Sequence, residues 1–459
     1  MSRNRVNYQS ESLFICRDSE KAHFRDGANN ETEDESGNLF PIEYNEEEVY
    51  SRRNLPYNHP NGNLVEQFQR VQSINYDISI PTVNVHQFGM LGRLDGLVVE
   101  TPIVSLNFTY LLADAYNEKL LNFNVGTHPQ DFDTDPFLYR DHNTFHHYIS
   151  NPHGSNLFIE TGKDGHDLTN LSVPDSEKNT TAIGSAFIDN YKVEAAVGSL
   201  PTASVDFTAL NAEVHTGTKD LIVPTINPIG TRPDFKFSLP NYQENHLIEY
   251  DLLNNQLDQG ITTIRPGDIM VVLHDENHGL FVKQNEEIDG WTEGACNLQS
   301  FQIDCRFERT PVARLGKIWA NTFTLDKGPQ VVLRLTGLVS ELKQSKLAEA
   351  LCGGGASVSI YLFDPCAERN IQDRSTVSMI YTFRDLKLES EQFSSAIGDN
   401  KMVDIVLSTS CEAQDKNRSG FYIWGRSFEG VLITDEFGNV IGVDPSNPLG
   451  LFGAYNRGV

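Results

Sequence analysis

Between Val71 and Phe123 the chain alternates apolar and polar residues twice and then changes period. Ile74, Tyr76, Ile78 and Ile80, with Asn75, Asp77 and Ser79 between them, have the period of a half-buried strand that Pro81 bounds. Val104, Leu106 and Phe108 alternate with Ser105, Asn107 and Thr109 in a returning strand, and Gly89 to Pro102, with Gly92 and Gly96, is a long connection. The following ADAYNEKLLNF is rich in helix formers, with apolar residues about three and four apart, and predicts a short helix. The unit is strand, long loop, strand, short helix.

The same unit recurs without a gap. With Val71 set on Leu298, an offset of 227, the 53 positions to Phe123 hold 12 identities, where average composition gives roughly 3 by chance. They include Gln72/Gln299, Ser73/Ser300, Asp77/Asp304, Gly89/Gly316, Pro102/Pro329, Leu106/Leu333 and Thr109/Thr336. Inward pairs such as Tyr76/Ile303, Ile80/Phe307 and Phe108/Leu335 are apolar on both sides, so one fold used twice is the economical explanation. In the second copy SELKQSKLAEAL takes the helix, with Ser340 as N-cap and Gly353 as the stop. Further on, Asn190–Glu194 and Ala203–Phe207 read as a second strand pair, which Asp385–Glu389 and Met402–Val406 match more loosely.

The Gln-Ser opening of the first strand, the Phe88-Gly89 and Leu315-Gly316 pairs, the Thr101–Thr109 strand and the late AAVGSLPTASVDF segment, Ala195 to Phe207, resemble the tail tube (major tail) proteins of long-tailed double-stranded DNA bacteriophages. The resemblance implies a mainly β fold with short helices, a β-rich α+β chain of two tandem tail-tube-like β-sandwich or barrel domains. It implies that such domains join edge to edge into a ring, so that three duplicated chains make the pseudo-sixfold ring. Implied partners are further copies of the chain, stacked as trimeric rings, the terminator, distal tail and tape measure proteins, and double-stranded DNA in transit without specific binding. The expected place is the virion tail, after synthesis in the host cytoplasm. A distal tail or baseplate ring component is the nearest alternative. The second copy departs from the pattern at ERTPVARLGKIW, where the proline has moved and Trp319 enters. Gly89, Gly92, Arg93, Gly96, Gly316 and Trp319 are the candidate ring-contact positions of the long loops.

This reading divides the chain into an N-terminal strand and acidic arm at 1–70, a first tube domain at 71–214 with an insertion at 124–185, and a connector at 215–297. A second tube domain follows at 298–415, and a C-terminal hairpin and arm at 416–459. The connector holds strand candidates at Asp268–Leu273 and Gly279–Lys283, separated by HDENH, and the C-terminal hairpin turns around Asp435–Asn439.

Charge narrows the function. The 459 residues carry 36 basic and 63 acidic side chains, a formal −27, which argues against a surface made to grip nucleic acid. The alternation that sends Ile74 to Ile80 into a core turns Asn75, Asp77 and Ser79 to the other side, as it does Gln302 and Asp304 in the second copy. These five are the candidate lumen residues, with the outer surface as the alternative. Arg52, Arg53, Arg306, Arg309 and Arg314 are expected to pair with acidic neighbours across subunit contacts rather than with phosphate.

Catalysis finds no support. The six cysteines have no Cys-x-x-Cys spacing, which speaks against a zinc site and a disulfide framework. His142, His146 and His147, with His128, His153 and His166 around them, are the best candidate metal cluster for a competing metal-dependent enzyme, yet they lack the Glu of a His-Glu-x-x-His site. Asp131-Phe-Asp-Thr-Asp135 begins like a calcium loop and fails at Pro136 and His142. There is no Walker A sequence and no Gly-x-Ser-x-Gly elbow, and Gly353–Gly355 follows a helix rather than opening one. No cofactor is expected. The N-terminus has no apolar signal region and no run of about 18 apolar residues exists, so neither signal-peptide secretion nor membrane insertion is expected.

Overall fold

The computed structural model describes residues 11–16, 31–33, 39–41, 65–98, 100, 102–127, 143–145, 148–149, 154–162, 168, 174–209, 211–219, 221–222, 236–237, 263–273, 295–296, 298–312, 315, 322–338, 356–365, 377–394, 402–411, 420–425, 431–434 and 440–444. The chain is mostly β, with a large antiparallel sheet that does not close into a barrel, and one short α-helix among the described residues.

Eight strands make the front of the molecule. The first copy supplies β1 (Val71–Ser79), β2 (Ile103–Leu111), β3 (Asn179–Ala196) and β4 (Thr202–Ala209); the second supplies β5 (Leu298–Arg306), β6 (Gln330–Leu338), β7 (Val377–Ser394) and β8 (Met402–Ser410). Their order is β1-β2-β4-β3-β5-β6-β8-β7, antiparallel throughout. Alternation places them: along β4 and β8 every second residue is buried, from Ala203 to Ala209 and from Val403 to Thr409. The α-helix α1 (Tyr116–Leu120) follows β2 where the sequence pattern predicts it. The helix expected at Ser340–Leu351 lies outside the described residues.

Strands β3 and β7 each run 18 residues and serve two sheets. Their first halves leave the front layer and pair with Ser155–Thr161 and Asn211–Thr216 in copy one, and with Ala356–Phe363 and Gly420–Gly425 in copy two. Each bends at a residue in the left-handed region, Ser185 with φ 53° and Asp385 with φ 51°. Opposite the first bend the chain passes so close that a Cβ on Gly154 would stand 2.7 Å from the Ser185 carbonyl carbon, which only glycine avoids. Glu11–Cys16 and Val65–Gln67 extend the back layer of copy one, as Ile269–Leu273 and Ala295–Cys296 extend that of copy two.

The duplication is visible in the registers. Ser73 faces Thr109 beside a bulge after Val71, and Ser300 faces Thr336 beside a bulge after Leu298, keeping the offset of 227 in both strands. Between β3 and β4 a bulge separates Ile188 from Asn190; between β7 and β8 it separates Leu388 from Ser390, an offset of 200. The looser match of Asn190–Glu194 to Asp385–Glu389 is therefore corrected by five residues: Asn190 corresponds to Ser390. The back-layer strands at 155–161 and 179–184, read as an insertion, have counterparts at 356–363 and 377–384 and belong to the repeated unit. Likewise Glu11–Cys16, read as part of an arm, and Ile269–Leu273, read as part of a connector, hold equivalent places. The partner expected for 269–273, Gly279–Lys283, lies outside the described residues, while Val431–Thr434 and Val440–Asp444 do pair around the expected C-terminal turn.

One apolar core runs through both copies, from Leu13 and Phe108 through Tyr191 and Ile303 to Leu407 and Ile423. No helix among the described residues is long and apolar enough to cross a membrane, which says nothing about strands.

Candidate functional site

The joint between the copies is the first half of the site. Strand β3 pairs with β5 from Asn190 opposite Arg306 to Ala196 opposite Ser300, so two four-stranded sheets become one eight-stranded sheet. A second, parallel contact sets Val125–Thr127 of copy one beside Ile423–Gly425. There a Cβ on Gly425 would stand 2.4 Å from the Ala115 Cβ, so the close approach of the strands depends on that glycine. In the core beneath, Tyr110 and Tyr191 donate to Glu118 Oε1 at 2.8 and 2.9 Å, and the Tyr191 and Tyr381 hydroxyls lie 3.2 Å apart. Glu118 is fully buried, and that burial pushes its carboxyl up to about 7 against the lowering effect of the tyrosine hydrogen bonds.

The second half is the same edge left open. Strand β1 is the counterpart of β5, but among the described residues only β2 pairs with it along its length. The side chains report the difference: Tyr76, Ile78 and Ile80 are 48%, 49% and 56% exposed, whereas the matched Ile303, Cys305 and Phe307 are 0%, 0% and 2% exposed. Phe307 is covered by copy one itself, with ring centroids 4.9 Å from Phe145 and 5.1 Å from Tyr148. An apolar face that one copy buries is thus presented to solvent by the other, beside a row of backbone groups with no strand partner among the described residues.

The long loops are hairpins. Thr82–Val85 pairs with Asp95–Val98, and Arg309–Val312 with Thr322–Leu325. The second hairpin lies on the neighbouring domain: the Arg309 guanidinium sits 5.1 Å from the Tyr148 ring centre and 5.0 Å from that of Phe187, and Phe323 packs on Phe187 at 5.3 Å. The first hairpin has no such cover among the described residues, leaving Val83, Met90, Leu94 and Leu97 exposed and Phe88 and Leu91 wholly so at its tip. Leu315, matched to Phe88, is equally exposed. Gly89 takes φ +86°, Gly92 has open space around it, Arg93 donates to Asn84 Oδ1 at 3.1 Å, and Gly96 lies near both. Gly316 and Trp319 lie outside the described residues.

Of the five lumen candidates, Asn75, Asp77 and Ser79 are exposed, Gln302 is half-buried and Asp304 is buried. Arg306 closes over Asp304 Oδ2 at 2.8 and 3.1 Å, so the matched aspartates do not present the same free carboxylate. The polar face of the front sheet, which carries these candidates, is internally bonded: Asn107 holds Asp206, Lys192 holds Glu194, and Thr336 donates to Asp404 at 2.7 Å. Of the candidate arginines, Arg306 pairs with acid within its own strand and Arg309 lies on aromatic rings; Arg52, Arg53 and Arg314 lie outside the described residues, as do His128, His142, His146, His147, His153 and His166 and the Asp131–Asp135 stretch. Among the described residues no group of three His, Cys, Asp or Glu could hold a metal ion. The Glu118 network and the seat of Arg309 escape sequence reading, because Tyr110, Tyr191 and Tyr381 occupy ordinary inward strand positions.

No family model and no curated protein matches the chain. Among solved structures it is similar to the SPP1 tail tube, with a TM-score of 0.21 and 10% identity over 46% of this chain and 80% of that one. It is also similar to a type six secretion system protein, with a TM-score of 0.20 and 17% identity over 38% of this chain and 90% of that one.

Proposed function

We propose that the chain is a structural subunit of a phage-type tail: three copies close six units into a ring around a pore, and stacked rings form the conduit through which the genome leaves. The observation that carries this reading is the repeated edge. Strand β5 is buried by the unit before it, and β1, its counterpart, is half exposed at the same inward positions. A second chain offering its β7 end repeats the intrachain joint and leaves the same surfaces free for a third. Burying the exposed half of Tyr76, Ile78 and Ile80 contributes about 1 kcal/mol each, and closing the ring removes the open edge that invites uncontrolled pairing. Tethering two units in one chain raises their effective concentration for each other and lets the two kinds of joint differ.

The chain acts on this reading without catalysis and without a cofactor. Its partners are its own copies along the tube and the proteins that cap, tip and fill it. Electron microscopy of the purified chain tests the reading: rings or stacked tubes with a central channel are expected, and a monodisperse monomer at every concentration contradicts it. A distal ring of the same tail would use the same joint, and copy number in the particle separates a tube, with many rings, from a tip, with one.

A further inference from the structure

We propose that the free edge of β1 receives the second half of β7 from another copy of this chain in one defined antiparallel register, with Asp77 opposite Gln392. The inference rests on the ring reading above and specifies its joint residue by residue.

The intrachain joint is the template for the interchain one. At the intrachain joint β3 meets β5 with Lys192 opposite Asp304 and Val193 opposite Ile303. The registers within each copy relate β1 to β5 by 227 and β3 to β7 by 200, with the bulges falling at matched places. Carrying the joint over by those two offsets sets Ser79 opposite Ser390, Ile78 opposite Glu391, Asp77 opposite Gln392, Tyr76 opposite Phe393 and Asn75 opposite Ser394.

The side chains fit this register. Asn75, Asp77 and Ser79 meet Ser394, Gln392 and Ser390 on the polar face, hydrogen-bonding pairs with no like charges opposed. Tyr76 and Phe393, exposed to 48% and 54%, meet on the apolar face where Ile303 meets Val193 at the intrachain joint. A slip of one residue turns Tyr76 and Ile78 to the wrong face. A slip of two places Tyr76 against Glu391 and costs the aromatic pair. Glu391 takes the place that Tyr191 holds inside the chain, so the interchain joint carries a carboxyl group where the intrachain joint carries a phenol.

Paired cysteines read the register in the full chain. Directly opposed residues on antiparallel strands stand about 4.5–5.5 Å apart at Cα, within reach of a disulfide. The double variant Asp77→Cys with Gln392→Cys is expected, on mild oxidation of the assembled protein, to give covalent dimers and trimers on a non-reducing gel. The offset pair Asp77→Cys with Ser390→Cys is expected to crosslink about tenfold less. Asn75→Cys with Ser394→Cys reads the same register independently and serves if substitution at 77 impairs assembly. Rings that form but crosslink equally or better through the offset pair overturn the register and leave the ring reading standing. Failure of the unsubstituted chain to self-associate at any concentration overturns both.

Discussion

The hydroxyls of Tyr191 and Tyr381 meet at 3.2 Å, one from each copy, and Tyr191 in turn donates to Glu118. Tyr191 has one proton, and giving it to Glu118 leaves its oxygen to accept from Tyr381. A single buried carboxyl therefore anchors a hydrogen-bonded chain across the joint. Its second oxygen has no partner among the described residues.

That anchor makes the joint sensitive to pH. Burial raises Glu118 from 4.5 to about 7. The folded chain thus holds a proton that the unfolded chain releases between those values. The contribution is complete below about 4.5 and lost as pH rises to about 7, a change of about 3 kcal/mol. Glu118→Gln keeps an acceptor for both tyrosines and removes the titration. Urea midpoints at pH 5 and pH 8 should fall between the two for the natural chain and differ much less for the variant; an equal fall in both would place the pH dependence elsewhere.

The two forms of one edge make a paired test. Ile78→Asp puts a charge on a half-exposed residue and is expected to leave the fold intact while abolishing association. Cys305→Asp puts the same charge at the matched, fully buried position and is expected to cost several kcal/mol and unfold the chain. Circular dichroism with sedimentation distinguishes the outcomes. An Ile78→Asp chain that assembles normally would remove β1 from the interface.

Phe88 and Leu91 stand wholly exposed at the tip of the first hairpin, and Leu315 at the matched place of the second. If the chain forms stacked rings as proposed, these exposed apolar tips suit contact between them. The double change Phe88→Ser and Leu91→Ser should leave rings that stack poorly, counted as short or absent tubes in micrographs. Tubes of normal length would show the tips to be dispensable.

Asp77 carries the lumen argument alone, because Arg306 closes over Asp304. Three chains would place three exposed carboxylates in a ring, whose field reaches about 8 Å at cellular ionic strength. Asp77→Lys is expected to leave tubes intact and slow genome ejection as phosphates gain cationic contacts. Unchanged ejection kinetics from intact particles would move Asp77 out of the lumen.

Alternation made the front sheet legible: Ile74 to Ile80, Val104 to Phe108 and Ala203 to Phe207 each obey period two, and the strands lie where that pattern puts them. The back layer was not legible for the opposite reason. Ser155–Thr161 and the first half of β3 are buried almost without interruption, so they carry no alternation and read as featureless insertion. The misplaced match of Asn190 to Asp385 has a local cause as well. A left-handed bend at Ser185 and Asp385, followed by bulges near residues 189 and 389, breaks the period within a single strand. Of the site, the matched edge could be read from the repeat, but not which copy of it stays open, since that depends on what packs beside each.

The number of chains in an assembled ring tests the central claim most directly. Native mass measurement of rings released from tubes, or formed by the purified chain, should give three chains, six units in all. Six chains per ring, or a chain that stays monomeric while β1 remains half exposed, would contradict it.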